Sequence, residues 1–361
     1  MRKKVVVFGG GTGLSYLLSG LKDFPVDITA VIAVSDNGRS TGKLREEFHI
    51  PAVGDIRKVI TSLSTTEEDI KKMLEYRFET TSDLNGHALG NLILTSLFNI
   101  TGNLKDSIQD LCKLLDVKHK VLPLSEDATI TLMAEMTNGE IVEGESNITE
   151  HSGKVKRLFY KKEPKVLDEV IEAIKEADMI LLSMGSLYTS LIPHLLAKQV
   201  IEAFDHTKVP IVYLCNIVTQ PGETDDFAVS DHVKLINQYL GKHKLDVVIA
   251  SNSKISQEMV EKYSTLEQKD PVKIDYPVLA NLNIELIEDD LLTIVDNTLK
   301  HNSQKLSSII MSYFFRFLLS FREPGHSRPG KADCTAKVAM FRVNRPLKAR
   351  SAQLPSAYIA N

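Results

Sequence analysis

The chain has 361 residues, of which 43% are hydrophobic and 25% are charged, and its formal net charge at pH 7 is −4. This composition is typical of a folded globular protein with a large core. The acidic balance argues against nucleic acid as the main partner, and no apolar run is long enough to predict a membrane span. The three cysteines, Cys112, Cys215 and Cys334, lie far apart without metal-ligand spacing, which favours a reducing cytoplasm.

A strand, a glycine turn and a helix are predicted at the start of the chain. Residues 5–8 are apolar and predict a buried strand, and leucines recur at helical spacing from Leu14. Between them lie Gly10, Gly11, Thr12 and Gly13. Such a turn places free backbone N–H groups and the positive end of a helix dipole where an anion can bind. The G-x-G-x-x-G fingerprint is incomplete, because Leu14 takes its last position. We therefore predict a phosphate or nucleotide cradle, with a turn that serves only packing as the alternative.

The second predicted strand, at residues 28–34, ends in a polar turn that contains Asp36, Asn37 and Ser40. A strand–helix–strand opening is typical of a doubly wound parallel sheet, in which an acidic residue at this position often holds a ribose hydroxyl or a metal. Asp36 is therefore a candidate, and an Asx turn is its alternative role. Asp55 precedes an apolar helix and either caps that helix or faces Asp36 across a crevice. In the second case the two carboxylates would hold a divalent cation, with Mg²⁺ as the candidate.

The middle of the chain changes from helical to strand periodicity. Helical patterns run between residues 67 and 116. His87 and Asn91 are four residues apart, so they are predicted to share a helix face and are candidate ligand contacts, with a structural role as the alternative. Further on, apolar residues alternate and an Asn-Gly pair at 138–139 gives a hairpin signal. This pattern predicts a small antiparallel β insertion over about residues 120–162.

Two later loops carry the remaining polar candidates. The first follows a predicted strand at residues 179–182 and contains Gly185, Ser186, Tyr188 and Thr189. The second follows the next strand and contains Asn216, Thr219, Gln220, Gly222, Glu223 and Thr224. Open α/β sheets bind ligands at the carboxyl ends of their strands, so both loops are predicted to contact polar ligand groups. Helix capping by these side chains is the alternative.

Alternating strands and helices predict a single α/β domain over residues 1–310. The expected fold is Rossmann-like and doubly wound, with a mostly parallel sheet, helices on both faces and the antiparallel insertion. Residues 311–361 are basic and lack a sustained period beyond an apolar start, so we expect them to lie outside the core.

Four stretches together resemble one known family. They are GGGTGLS at 9–15, SDNGRSTGKLR at 35–45 with GDIRKVI at 54–60, GSLYTSLIP at 185–193 and NIVTQPGETDD at 216–226. They are similar to the YvcK/GlmR family of gluconeogenesis factors, relatives of the CofD 2-phospho-L-lactate transferase. The resemblance covers about residues 4–305 and implies a Rossmann-like fold in a cytoplasmic, homodimeric protein.

The resemblance also implies a regulatory role rather than catalysis. It implies that the protein binds UDP-N-acetylglucosamine without a required cofactor and links sugar-nucleotide supply to glucosamine-6-phosphate synthase as a protein partner. Cell-wall precursor supply and cell shape during gluconeogenic growth would depend on this link. In the transferase relatives, carboxylates matched by Asp36 and Asp55 hold a divalent metal. A family tyrosine and a late family arginine match Tyr263 and Lys300.

The chain departs from the family pattern at three places. Ser183-Met184 stands in place of Gly-Pro, Arg39 in place of a second glycine, and Lys300 in place of the arginine, which would reduce a bidentate phosphate contact to a point charge. Two other functions stay open. A metal-dependent transferase acting on a nucleotide-activated phosphate substrate would use the paired carboxylates to hold a charge-neutralising cation. A nicotinamide-dependent dehydrogenase is disfavoured by the incomplete glycine fingerprint.

Overall fold

A computed structural model describes residues 2–320 of the chain. Its strands are β1 (Lys3–Gly9), β2 (Val26–Ile32), β3 (Lys120–Pro123), β4 (Leu132–Met136), β5 (Ile141–Glu143), β6 (Val155–Tyr160), β7 (Met179–Leu182), β8 (Ile211–Leu214), β9 (Val247–Ser251), β10 (Glu285–Asp289), β11 (Leu292–Val295) and β12 (Thr298–His301). Its helices are α1 (Gly11–Leu21), α2 (Arg39–Phe48), α3 (Gly54–Leu63), α4 (Glu68–Glu75), α5 (Leu89–Thr101), α6 (Leu104–Leu114), α7 (Glu145–Glu150), α8 (Asp168–Glu176), α9 (Ile192–Leu196), α10 (Lys198–His206), α11 (Val229–Tyr239), α12 (Gln257–Lys262), α13 (Tyr276–Leu279) and α14 (Ser303–Ser320). Single π-helical turns occupy Leu187–Leu191 and Tyr263–Glu267.

Seven strands form one parallel sheet in the order β10-β9-β8-β7-β1-β2-β3. The central strand β1 is covered on both faces, because Val5 and Val7 pack into one core cluster while Val6 and Phe8 pack into the other. Helices α1, α3, α6 and α14 contribute to the first cluster, and α8, α10 and α11 contribute to the second. Parallel sheets are normally buried by helices on both faces, as this one is. The expected Rossmann-like α/β fold is therefore confirmed.

The chain extends the sheet from β1 in two directions. Strands β2 and β3 lie on one side of β1, and β7, β8, β9 and β10 lie on the other. The strand order thus reverses between β1 and β7, which is the place where open α/β sheets bind their ligands. The two turns that follow these strands are the glycine turn and the turn around Gly185.

The antiparallel insertion is shorter than expected. Its three strands have the order β5-β4-β6, and Gly139 closes the β4–β5 hairpin with φ +89°. The expected start at residue 120 is corrected, because β3 pairs in parallel with β2 at the edge of the main sheet. Val121 and Leu122 of β3 are buried in different core clusters, as in the other parallel strands. The insertion therefore begins after β3.

The last described helix crosses the boundary that the sequence predicted at residue 310. Helix α14 continues to Ser320 and packs against α1, and Met311 and Phe314 are buried in the first core cluster. A Cβ on Gly20 of α1 would lie 2.5 Å from the Ser303 carbonyl oxygen, so the two helices are in backbone contact. Among residues 2–320, no helix is both long and apolar enough to cross a membrane. The expectations for residues 321–361, including Cys334, lie outside the described residues.

Two neighbouring phenylalanines test whether α14 belongs to the core. Phe314 is fully buried, whereas Phe315 is 48% exposed. Phe314→Ala is expected to lower the free energy of unfolding by about 3–5 kcal/mol, because it leaves a cavity in the first core cluster. Phe315→Ala should cost less than about 1 kcal/mol. Urea unfolding monitored by circular dichroism measures both, and equal midpoints for the two variants would remove α14 from the core.

Candidate functional site

The glycine turn after β1 allows a ligand to approach the backbone closely. Gly11 has φ +60°, a left-handed conformation that residues with a Cβ seldom adopt, and it begins α1. A Cβ on Gly13 would lie 2.3 Å from the Met184 carbonyl oxygen, so α1 packs directly on the chain that leaves β7. The first N–H groups of α1 have no acceptor within the helix. This edge of the sheet can therefore hold an anion such as a diphosphate.

A buried histidine, His194, forms a hydrogen bond to the residue before this turn. The sequence did not predict it as a site residue. The Nε2 of His194 lies 3.0 Å from the Gly9 carbonyl oxygen, and the ring packs edge-on against Phe8. A carbonyl only accepts hydrogen bonds, so Nε2 must carry the proton. Burial lowers the pKa of His194 to about 4, so the ring is neutral at physiological pH. His194 thus fixes the residue that leads into the glycine turn.

The turn after β7 is held by hydrogen bonds to Asn216, which lies just after the neighbouring strand β8. The Gly185 N–H donates to Oδ1 of Asn216 (2.9 Å), and Nδ2 of Asn216 donates to the Gly185 carbonyl (2.8 Å). Gly185 itself has φ +142°. Because both ends of the Asn216 amide bind backbone, this side chain shapes the turn. The sequence predicted Asn216 as a ligand contact, and these bonds give it a positioning role.

The polar loop after β8 binds to the same turn through Glu223. Ser186 Oγ donates to Glu223 Oε2 (2.7 Å), and the Gln220 amide donates to Oε1 (2.7 Å). Ser186 also accepts the Thr189 N–H (3.0 Å) and so caps the first π-helical turn. Burial raises the pKa of Glu223 to about 7, and the Ser186 hydrogen bond opposes that rise. The two predicted loops therefore form one hydrogen-bonded unit.

Other predicted residues of this unit stabilise its backbone. Thr224 Oγ1 accepts the Gln220 N–H (2.8 Å), and Thr219 Oγ1 accepts the Asp270 N–H (2.9 Å). Gly222 has φ +76°, and Tyr188 is buried, which raises its pKa to about 12.

The raised pKa of Glu223 predicts a pH dependence of stability. Its ordinary value is 4.5, so between pH 4.5 and about 7 the folded protein keeps a proton that the unfolded chain has released. The free energy of unfolding should therefore fall by up to about 3 kcal/mol as pH rises through this window, and the contribution is flat above it. Glu223→Gln removes this contribution. Urea unfolding at pH 5 and pH 8 should show a smaller difference for the variant, and an unchanged difference would contradict the assignment.

An acidic centre lies beside the glycine turn. A Cβ on Gly10 would lie 2.8 Å from Oδ2 of Asp55, whose Oδ1 accepts the Lys58 ammonium (3.1 Å). Asp36 Oδ1 accepts the Gly38 N–H (2.8 Å), which confirms the Asx turn. Burial raises the pKa of Asp36, and the negative charge of Asp55 raises it further. The two carboxylates therefore interact electrostatically, and a cation held between them stays a prediction.

The local structure excludes one of the two sequence alternatives for Asp55. Asp55 does not cap its helix, because α3 begins at Gly54 and Val53 occupies the N-cap position. The pair supplies two oxygen ligands, the type that Mg²⁺ prefers, but the described residues contain no group of three or more His, Cys, Asp or Glu side chains placed to hold a metal. The sequence missed Glu145 of α7, which interacts with both carboxylates and whose pKa is raised well above its usual range, mainly by burial. No strand end or motif marks that residue.

His87 and Asn91 meet, but by a route that differs from the prediction. Helix α5 begins at Leu89, so His87 precedes it and the two residues do not share a helix face. Instead both contact Ser40: His87 Nδ1 lies 3.0 Å from its Oγ, and Asn91 Nδ2 donates to the same oxygen (3.2 Å). Arg57, which was not predicted, donates to Asn91 Oδ1 (3.3 Å).

The remaining candidates have separate surroundings. The Tyr263 hydroxyl is buried and accepts the Leu299 N–H (2.7 Å) of the β11–β12 hairpin. The Lys300 ammonium lies 4.9 Å from the centre of the Tyr16 ring on α1, a cation–π contact. Asn37 accepts the Ser146 N–H (2.9 Å) and so ties the insertion to this edge, while Thr12 is exposed on α1.

Two of the departures from the family pattern have visible consequences. Arg39 has φ +45°, the conformation that favours the glycine expected there. A Cβ on Gly9 would lie 1.9 Å from the Ser183 Oγ, so the serine fills the space above that glycine.

A parallel α/β sheet with a glycine turn at its switch point places the protein in the Rossmann-like class of ligand-binding folds. Residues 5–292 match the model of one family, described as "2-phospho-L-lactate transferase CofD", and the chain belongs to this CofD family. It is similar to the gluconeogenesis factor of Bacillus subtilis, with 42% identity over 86% of this chain and 98% of that protein. The gluconeogenesis factor of Halalkalibacterium halodurans is 43% identical, over 86% and 96%.

A solved structure of a related protein supports the same family assignment. The crystal structure of a UPF0052 family member from Bacillus halodurans has a TM-score of 0.82 and 42% identity, and covers 86% of this chain and 99% of that one. The resemblance to the YvcK/GlmR gluconeogenesis factors is therefore confirmed.

Proposed function

We propose that this protein is a cytoplasmic regulatory factor that binds UDP-N-acetylglucosamine and does not consume it. The observation that carries the proposal is the contact between the glycine turn and the Gly185 turn at the switch point of the sheet. Two of the most similar relatives are named gluconeogenesis factors, which supports a role in gluconeogenic growth. On this proposal the bound sugar nucleotide reports precursor supply for the cell wall, and cell shape depends on it.

The chemistry of this edge suits a nucleotide diphosphate. The N-terminus of α1 would receive the diphosphate, and the left-handed Gly11 lets backbone N–H groups approach it without a side chain between. Asp36 and Asp55 would repel the diphosphate unless a cation lies between them. Mg²⁺ would supply that charge neutralisation, although we propose that binding does not require it. Glucosamine-6-phosphate synthase as protein partner and a homodimeric state complete the proposal.

The internal hydrogen bonds favour binding over catalysis. Within residues 2–320, the Ser186, Glu223 and Asn216 side chains bond to one another or to backbone. They join the two loops to each other and to the backbone, and we infer that they act as a scaffold for the two turns. A second candidate function is a metal-dependent transferase acting on a nucleotide-activated phosphate substrate. The CofD family match and the carboxylate pair beside Gly10 favour it.

Calorimetric titration with UDP-N-acetylglucosamine, with and without Mg²⁺, tests the proposal. We expect micromolar binding, and the ligand recovered afterwards should be chemically intact. Ligand consumed only with metal would favour the transferase, and absence of binding would contradict the proposed sensor. NADH in the same titration serves as the control and should give no heat of binding.

A further inference from the structure

A largely buried histidine lies at the edge of the sheet opposite the two turns. His243 belongs to the loop of residues 240–246, which connects α11 to β9 and so lies at the amino ends of the parallel strands. Its side chain is 13% exposed, so the ring nitrogens depend mainly on protein atoms for their hydrogen bonds. The proposed function makes no use of this residue.

Both ring nitrogens of His243 face atoms that only accept hydrogen bonds. Nδ1 lies 3.2 Å from the Phe204 carbonyl oxygen, and Nε2 lies 3.0 Å from Oδ2 of Asp246. Each neutral tautomer carries one ring proton and would leave the other nitrogen with its lone pair against an acceptor. The imidazolium has a proton on both nitrogens and donates in both contacts. The geometry therefore calls for a charged ring.

Two features of the surroundings favour that charge. Asp246 supplies a negative partner, and its Oδ2 also accepts the Ile211 N–H (3.0 Å) at the start of β8, as an ionised carboxylate does. Phe204 lies in the last turn of α10, where the negative end of the helix dipole stabilises a cation. The charged ring therefore ties α10 to the carboxylate that holds the start of β8.

The backbone of the loop is fitted to the end of α10. The His243 N–H donates to Oδ1 of Asp205 (2.9 Å). A Cβ on Gly241 would lie 2.4 Å from the other oxygen of this carboxylate, so the glycine lets the loop lie directly on it. The Asp246 carbonyl accepts the Glu285 N–H (2.9 Å) at the start of β10. The contacts of this loop therefore join α10 with the starts of β8, β9 and β10.

Other ionisable groups surround these contacts from the loop, α10, β10 and α14. Among the described residues they are Lys242, Lys244, His206, Glu285, Tyr313 and Arg316. Arg316 is paired with Glu285, and burial raises the pKa of the Tyr313 hydroxyl, so that hydroxyl stays neutral. Lysine and arginine ordinarily keep their charge to about pH 10. The side-chain type that changes charge near neutral pH is histidine, and the second histidine here, His206, is exposed.

We propose that His243 is a pH-sensitive clamp, which holds the loop of residues 240–246 on α10 while its ring is protonated and releases it when the ring loses a proton. Histidine in an unfolded chain loses this proton at about pH 6.5. A folded state that keeps the proton to higher pH is stabilised in acid, and the stabilisation is lost as pH rises. A cavity of about 500 Å³ beside the loop gives the ring room to leave. The inference does not depend on the proposed sugar-nucleotide binding.

Nuclear magnetic resonance of the histidine rings tests the clamp directly. Long-range ¹H–¹⁵N correlation spectra of the full chain should show protons on both His243 nitrogens at pH 7 and a neutral ring at pH 9. The signals are assigned by their loss in His243→Gln. A ring that is already neutral at pH 7, or whose charge does not change up to pH 9, would overturn the inference.

Stability provides a matched comparison. From pH 7 to pH 9 the unfolding equilibrium constant of the wild type should rise about tenfold more than that of His243→Gln, because only the wild type loses the clamp. This range lies above the window assigned to Glu223. His206→Gln removes the exposed histidine, whose ring contacts the Glu202 carbonyl (2.6 Å), and should keep the wild-type pH dependence. Equal pH dependence in the wild type and His243→Gln would contradict the clamp.

Hydrogen exchange of the wild type needs no variant, so it decides the question even if His243→Gln does not fold. Protection of the backbone amides of residues 240–246, corrected for the intrinsic exchange rate, should fall about tenfold from pH 7 to pH 9. The Gly185 amide, which donates to Asn216 at the opposite edge of the sheet, should keep its protection. Constant protection of the loop over this range would rule out a clamp that opens.

Discussion

Gly11→Val is expected to lower the affinity for UDP-N-acetylglucosamine by at least about 100-fold. Gly11 has φ +60°, and a Cβ added there would lie 3.5 Å from the Asp55 carboxylate. A β-branched residue is strained in this conformation, and its methyl groups would occupy the approach to the first N–H groups of α1. The loss of affinity is measured by calorimetry on protein that circular dichroism shows to be folded.

Gly102 provides a matched control for that variant. It has φ +78°, follows the last residue of α5, and has nothing within 4 Å of an added Cβ. Gly102→Val therefore imposes a similar backbone strain at a site remote from the two turns. We expect it to lower stability and leave the affinity for the sugar nucleotide unchanged. If both valine variants bound the ligand as the wild type does, the glycine turn would not be the diphosphate cradle.

Asp55→Asn is expected to remove any effect of Mg²⁺ on ligand binding. In the wild type, Mg²⁺ should strengthen binding by about tenfold, because the cation neutralises the charge between two carboxylates and a diphosphate. Without Mg²⁺ the variant should bind at least as tightly as the wild type, since one repelling carboxylate beside Gly10 is gone. Calorimetric titrations with Mg²⁺ and with a chelator measure both effects.

The control for the charge change is Asp69→Asn. Asp69 also lies in the first turn of a helix and pairs with a lysine three residues on, at 3.3 Å, but it is exposed on α4. It should leave the Mg²⁺ effect intact. A persistent Mg²⁺ effect in Asp55→Asn would contradict the assignment of the carboxylate pair as the cation ligands.

Much of the fold was predictable because buried parallel strands are continuous apolar runs. Residues 5–8 and 28–34 have this pattern and are followed by glycine or polar turns, so β1, β2 and the edge they share were predicted. The strand β3 was misassigned because a four-residue apolar run carries no period that separates a main-sheet strand from an insertion. The end of α14 was missed because Met311 and Phe314 are buried by tertiary contacts in the first core cluster, which the sequence alone does not display.

The candidate site was predictable only where it follows strand ends. Gly13 and Gly185 were found on that basis, and their turns do meet. Arg57 and Glu145 were missed because each reaches this edge from a different helix, α3 and α7, and acquires its role from partners far away in sequence. Asn216 was identified by its position at a strand end, but its role was not: both ends of its amide bind the Gly185 backbone, a contact between residues 31 positions apart.

The most direct test of the central claim is a crystal structure of the protein with UDP-N-acetylglucosamine. The account predicts that the diphosphate lies against the N-terminus of α1, at the edge where the glycine turn meets the Gly185 turn, with the sugar nucleotide intact. A ligand found away from the switch point between β1 and β7 would contradict the account.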